Sequence, residues 1–137
     1  MLYVKRVVVA DITRQLGLTQ IVSDQFFRFN PSLSHERFLT FKKRNREEFT
    51  GVIKKTGHSI TITGDIYSYV KETCEYGDIL LIKNTSKLDE YSFIVVKKSS
   101  TLYNECNNML QCHGSRNNLI SCSTHLLTRN SSIEAML

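Results

Sequence analysis

Apolar and polar positions alternate along the first hundred residues in short runs of the kind that make strands. Residues 2–12 are β-branched and aromatic, and the uninterrupted Val7, Val8 and Val9 predict a central strand buried on both faces. Residues 38–41 and 49–55 form two further apolar runs joined by a charged connection. In residues 59–63 the alternation is strict: Ile60 and Ile62 take one face, while Ser59, Thr61 and Thr63 take the other. Thr56, Gly57 and His58 supply the turn before that strand. Residues 79–83 are apolar enough to be a fully buried strand, and 91–98 pair back on it across the polar loop 84–90.

Helical spacing is rarer. After Gly64, Asp65 is placed to accept from backbone N–H groups, and Ile66, Tyr69 and Val70 recur at i, i+3 and i+4, which predicts a short helix ending near Cys74. Ser23 or Asp24 is suited to cap a second short helix over 25–29, whose Phe26, Phe27 and Phe29 are candidate core plugs. Pro31, the one proline of the chain, ends whatever precedes it. Residues 11–20 are polar, contain Gly17 and predict a loop between strands, or a short helix over 13–18. Strands joined by short polar turns, without β-α-β alternation, give a mainly β (α+β) fold: a small antiparallel pseudobarrel with one or two short helices. The expected domain covers 1–98. Residues 99–137 are rich in Ser, Asn, Thr and Cys without a clear period, and predict a weakly ordered tail or truncated linker, or a helix or two.

Composition changes the picture through charge. The 137 residues suffice for one domain, and a net charge of +5 with a pI near 9.1 favours an anionic partner. Six of the eighteen Lys and Arg residues fall within 38–55, and Lys42, Lys43, Arg44 and Arg46 crowd the connection between two predicted strands. Cations gathered at a hairpin tip neutralise phosphates and release counterions, and an arginine also grips guanine edges in the major groove. Asn45 adds the amide that pairs with adenine. The plainer alternative is a solvated turn or short helix, with Glu47 and Glu48 cancelling part of the charge. No apolar run is long enough to cross a bilayer, and the N-terminal residues carry Lys5 and Arg6 where a signal peptide would be apolar, so the expected location is cytoplasmic. In that compartment the four cysteines, Cys74, Cys106, Cys112 and Cys122, are expected as thiols.

Catalytic chemistry finds little footing. Cys106, Cys112, His113, Cys122 and His125 offer enough ligands for zinc, but only Cys122 and His125 have knuckle-like spacing, so no metal or other cofactor is expected. Glu47, Glu48, Asp65, Asp78, Asp89 and Glu90 do not form the separated Asp followed by Glu-x-Lys of a magnesium nuclease, and no glycine loop cradles phosphate. A binding module is therefore favoured over an enzyme. The alternatives are a small β-barrel protein-interaction domain with an incidental basic face, and a small nuclease using His58 or His113.

Three stretches carry a resemblance: Tyr3-Val4-Lys5-Arg6 leading to Asp11-Ile12-Thr13 and Gly17-Leu18-Thr19-Gln20; Lys43-Arg44-Asn45-Arg46 ahead of Thr50-Gly51; and Gly77-Asp78-Ile79-Leu80-Leu81-Ile82 with its closing strand. On these the chain resembles the effector-DNA-binding N-terminal domain of EcoRII-type (type IIE) restriction endonucleases, a DNA-binding pseudobarrel shared with plant transcription-factor domains. The resemblance implies two arms that grip double-stranded DNA, residues 11–20 and 42–47. It implies base reading by Arg14, Gln20, Arg44, Asn45 and Arg46, and phosphate contacts by Lys5, Lys42 and Lys43. The family places a nuclease domain after the pseudobarrel, whereas residues 99–137 contain no catalytic motif. The expectation is accordingly a recognition domain, non-catalytic by itself, with cleavage left to a separate nuclease domain or chain and a homodimer as a further option.

Overall fold

The computed structural model describes residues 1–111, 116–120 and 137. The elements run β1 (Leu2–Arg6), α1 (Val9–Thr13), β2 (Leu16–Leu18), α2 (Gln20–Gln25), β3 (Glu36–Lys42), β4 (Glu48–Thr56), β5 (Ser59–Thr63), α3 (Asp65–Thr73), β6 (Ile79–Asn84), β7 (Glu90–Val96), α4 (Tyr103–Gln111) and β8 (Asn117–Ile120). The eight strands among the described residues belong to one curled sheet in the order β2-β5-β4-β3-β7-β6-β1-β8. The fold is the mainly β half-barrel expected of a pseudobarrel. Its pairs are antiparallel except β3 with β7, which run parallel where the two halves of the chain meet.

Burial on two sides explains the apolar runs. Leu2 and Val4 of β1 pack with Ile79 and Leu81 of β6 against Cys106, Met109 and Leu110 of α4, while Tyr3, Leu80 and Ile82 face the barrel interior. A strand covered on both faces loses its alternation. Inside the barrel, ring contacts run from Tyr3 to Phe26 (centroids 5.7 Å apart), Phe26 to Tyr91 (5.4 Å), Tyr91 to Phe41 (5.5 Å), Phe41 to Phe93 (6.3 Å), Phe93 to Phe49 (5.7 Å) and Phe49 to Tyr69 (4.5 Å). Phe26, Phe27 and Phe29 are core plugs as expected. Gly51 lets β4 approach this core: a Cβ there would lie 2.9 Å from Phe41 and 3.0 Å from Ile66.

Four expectations are corrected. β1 stops at Arg6 because the Asp11 carboxylate accepts from the Val8 N–H at 2.8 Å and starts α1, overriding the strand propensity of the valines. Residues 11–20 are no open loop: Leu16 pairs with Ile62 and Leu18 with Ile60, and the Thr19 hydroxyl caps α2 by accepting from the Val22 N–H at 3.2 Å. That helix begins five residues before the expected start. At the next helix Gly64 is the N-cap, and Asp65 accepts instead from the Thr50 hydroxyl at 3.0 Å.

The sheet also continues past Lys98. α4 covers the outer face of β1 and β6, and β8 pairs antiparallel with β1 from Leu2↔Ile120 to Lys5↔Asn117. Arg6 ties this layer down by donating to the Tyr103 hydroxyl at 2.8 Å and to Asn107, and Tyr103 in turn donates to the Gly77 carbonyl at 2.9 Å. Cys112, His113, Cys122 and His125, considered for zinc, lie outside the described residues. Among the described residues no group of three or more His, Cys, Asp or Glu could hold a metal, and no helix is long and apolar enough to cross a membrane.

Candidate nucleic-acid interface

The β3–β4 hairpin pairs from Glu36↔Lys54 out to Lys42↔Glu48, and residues 43–47 form its tip. The turn closes through Lys43 N–H to Glu47 O and Arg46 N–H to Lys43 O, both 2.9 Å, with Arg46 in the left-handed region at φ +71°. Asn45 spends both ends of its amide on the turn, accepting from the Glu47 N–H at 3.0 Å and donating to the Glu47 carboxylate at 2.6 Å. An amide so engaged must release these bonds before it can meet an adenine.

Around that frame the cations divide. Lys42 lies 3.2 Å from Glu48 and 3.4 Å from Glu90, and these carboxylates raise its pKa. Lys43 lies 3.6 Å from Glu47 and 5.2 Å from the centroid of Tyr69, and its pKa is raised first by Tyr69. Arg44 and Arg46 project outward, and Arg46 makes no ion pair among the described residues. On the flank toward α3, Glu48, Asp65 and Glu72 surround a shallow depression floored by Phe49 and Tyr69. Lys42 and Lys43 offset part of the carboxylate charge on that flank.

The predicted first arm is folded differently. Lys5 is buried and its ammonium lies 3.2 Å from Asp11, itself only 1 % exposed, so it offers no surface to a phosphate. Arg14 caps the C-terminus of α1 and is exposed. Gln20 is exposed and donates to Asp24 at 2.9 Å. The register separates these two. Leu16 faces Ile62, which faces Ile53, which faces Arg37; from that row the direction toward Arg14 is the direction along β3 toward the tip. Gln20 lies the other way, beyond Leu18, on the row of Ile60 and Lys55. Arg14 therefore lies on the tip side of that row, about level with Leu39 and short of the tip itself, three strand spacings or roughly 15 Å to the side; Gln20 shares the opposite end with the β4–β5 turn.

That opposite end was missed as a cationic surface. Lys55 and His58 are exposed at the β4–β5 turn, Arg28 follows α2, and Lys87 sits on the β6–β7 turn. The signal available in the sequence was the Lys54-Lys55 pair immediately before Thr56-Gly57-His58. The buried thiols Cys74 and Cys106 are both pushed up to about 12 by desolvation, which makes them core fillers and poor nucleophiles.

Comparison with known proteins bears on the fold. The chain is similar to the N-terminal domain of Helicobacter pylori LlaJI.R1, with a TM-score of 0.69 and 15% sequence identity over 88% of this chain and 97% of that one. No protein-family model and no curated protein matches it.

Proposed function

We propose that this chain is a double-stranded-DNA-binding recognition domain of a restriction system, non-catalytic by itself. The observation that carries the reading is the β3–β4 tip, where Arg44 and Arg46 project from a turn locked by Asn45 and Glu47. The arginines suit base edges, Lys42 and Lys43 suit phosphates once they exchange Glu48, Glu90 and Glu47 for them, and Arg14 supplies a further exposed cation on the tip side of the sheet. Similarity in fold to the N-terminal domain of Helicobacter pylori LlaJI.R1 supports this reading. The nuclease belongs to another domain or chain.

The test is retention of random-sequence duplex pools across a salt series. Sequence-selective retention that falls steeply with salt is expected, and Arg44→Ala or Arg46→Ala should each cost about 1–3 kcal/mol and relax base preference. Absence of any retention at low salt overturns the proposal.

A further inference from the structure

Phe38 is 70 % exposed on the outer face of β3, whereas the other phenylalanines of the chain are buried or half-buried. Leu39 and Phe41 lie in the core, so the two-residue period of the strand fixes Glu36, Phe38, Thr40 and Lys42 on the side away from it. Register sets Lys54, Val52, Thr50 and Glu48 of β4 against them in that order.

Charge lies at the two ends of this face and is absent from its middle. Toward the tip, Lys42 is 3.2 Å from Glu48 and 3.4 Å from Glu90, so that corner is satisfied within the chain. At the other end Glu36 and Lys54 make no ion pair among the described residues. Between the ends stand the apolar Phe38 and Val52, then Thr40 and Thr50. An aromatic side chain in the middle of a sheet face is covered when a second sheet packs on it, about 10 Å away.

The pattern also selects that second sheet. A two-fold axis running along the strands, midway between β3 and β4, lays β3 of one copy over β4 of the other, so each residue meets a copy of its own register partner. Phe38 of each copy then covers Val52 of the other, and Glu36 of each meets Lys54 of the other. An axis across the strands at that row would instead oppose Glu36 to Glu36 and Lys54 to Lys54.

From this we infer that the outer face of β3 and β4 is a self-association surface, on which a second copy of this chain packs about a two-fold axis parallel to the strands. Both β3–β4 tips then point to the same end of the pair. A contact two strands wide and roughly 20 Å long falls short of the ~1,200 Å² of a standard interface, so the dimer is weak and forms with concentration. The inference stands apart from the duplex reading, because Glu36, Phe38, Val52 and Lys54 all lie outside the tip.

The experiment is sedimentation velocity of the full chain without DNA, from about 10 μM to about 1 mM, where contacts of this size associate. The sedimentation coefficient should rise with concentration, and Phe38→Ser should weaken association by about tenfold or more. Glu36→Lys and Lys54→Glu should each self-associate more weakly than the parent, because each sets like charges against one another across the axis. An equimolar mixture of the two variants restores both opposite pairs and should associate more strongly than either alone. A monomer throughout the range, unchanged association in Phe38→Ser, or a mixture no stronger than its components overturns the inference. Thermal melting of each variant confirms that a loss is not unfolding, and the mixed pair decides the matter if Phe38→Ser fails to fold.

Discussion

The ammonium of Lys5 lies 3.2 Å from Asp11 Oδ2, and the pair is sealed between β1 and α1 with side-chain exposures of 7 % and 1 %. The carboxylate also holds the Val8 N–H, so one buried anion ends a strand, starts a helix and neutralises a cation. Removing one partner strands the other charge in the interior, which costs far more than a surface pair is worth. Asp11→Ala should destabilise the fold by about 3–5 kcal/mol in denaturant unfolding. Lys5→Met should cost less, because the Asp11 carboxylate keeps its backbone donor, and should leave the salt dependence of duplex binding unchanged. A reduced salt slope in Lys5→Met would instead make Lys5 a phosphate contact.

Arg46 allows charge and backbone to be separated. At φ +71° a glycine is less strained than arginine, so Arg46→Gly should hold or raise the melting temperature, with a gain of up to roughly 0.5–1 kcal/mol. The same variant should bind duplex more weakly. Arg46→Ala, which keeps the strain and loses the charge, should lose binding without gaining stability.

Gly51 is a packing glycine. Its missing Cβ would meet Phe41, Ile66 and Ile62 at 2.9, 3.0 and 3.2 Å, all core side chains without room to withdraw. Gly51→Ala should cost about 1–3 kcal/mol by chemical denaturation.

Acid should loosen the sheet through Asp78. Burial alone would raise this carboxyl, but Lys97 at 2.6 Å and the N–H groups of Glu75 and Lys98 outweigh burial and hold it below its usual value. A depressed folded pKa contributes stability that is present above the unfolded value near 3.9 and is lost as pH falls through the folded one. Stability should therefore decline below about pH 4. Asp78→Asn should flatten that acid limb and cost about 2 kcal/mol at neutral pH, a figure reduced for the partial exposure of Lys97. An unchanged acid limb in the variant would remove Asp78 from the account.

Cys74 and Cys106, with thiols raised to about 12, should resist alkylation in the folded protein at pH 8 and react once denaturant is added. Peptide mapping by mass spectrometry reads each site separately.

Local pattern was enough to reveal most of the strands and the hairpins. The alternation of Ser59 to Thr63, the polar turn 43–47 and the buried runs of β6 and β7 are local patterns, set by the two-residue period of a strand and by turn chemistry. The spacing of Ile66, Tyr69 and Val70 marked α3 for the same reason. Which polar groups face inward depends on packing between distant segments. Lys5 follows Tyr3 by two residues and so shares its interior face, but only Asp11, brought back by the turn at Val8, makes that burial tolerable. β2 is three residues long and exists because β5 is there to pair with it, and β8 exists because β1 has a free edge. Such elements owe their form to long-range partners, which local propensity does not contain. The cationic tip was therefore legible as a hairpin, whereas the end of the barrel that Arg14 or Gln20 would occupy was settled only by strand register.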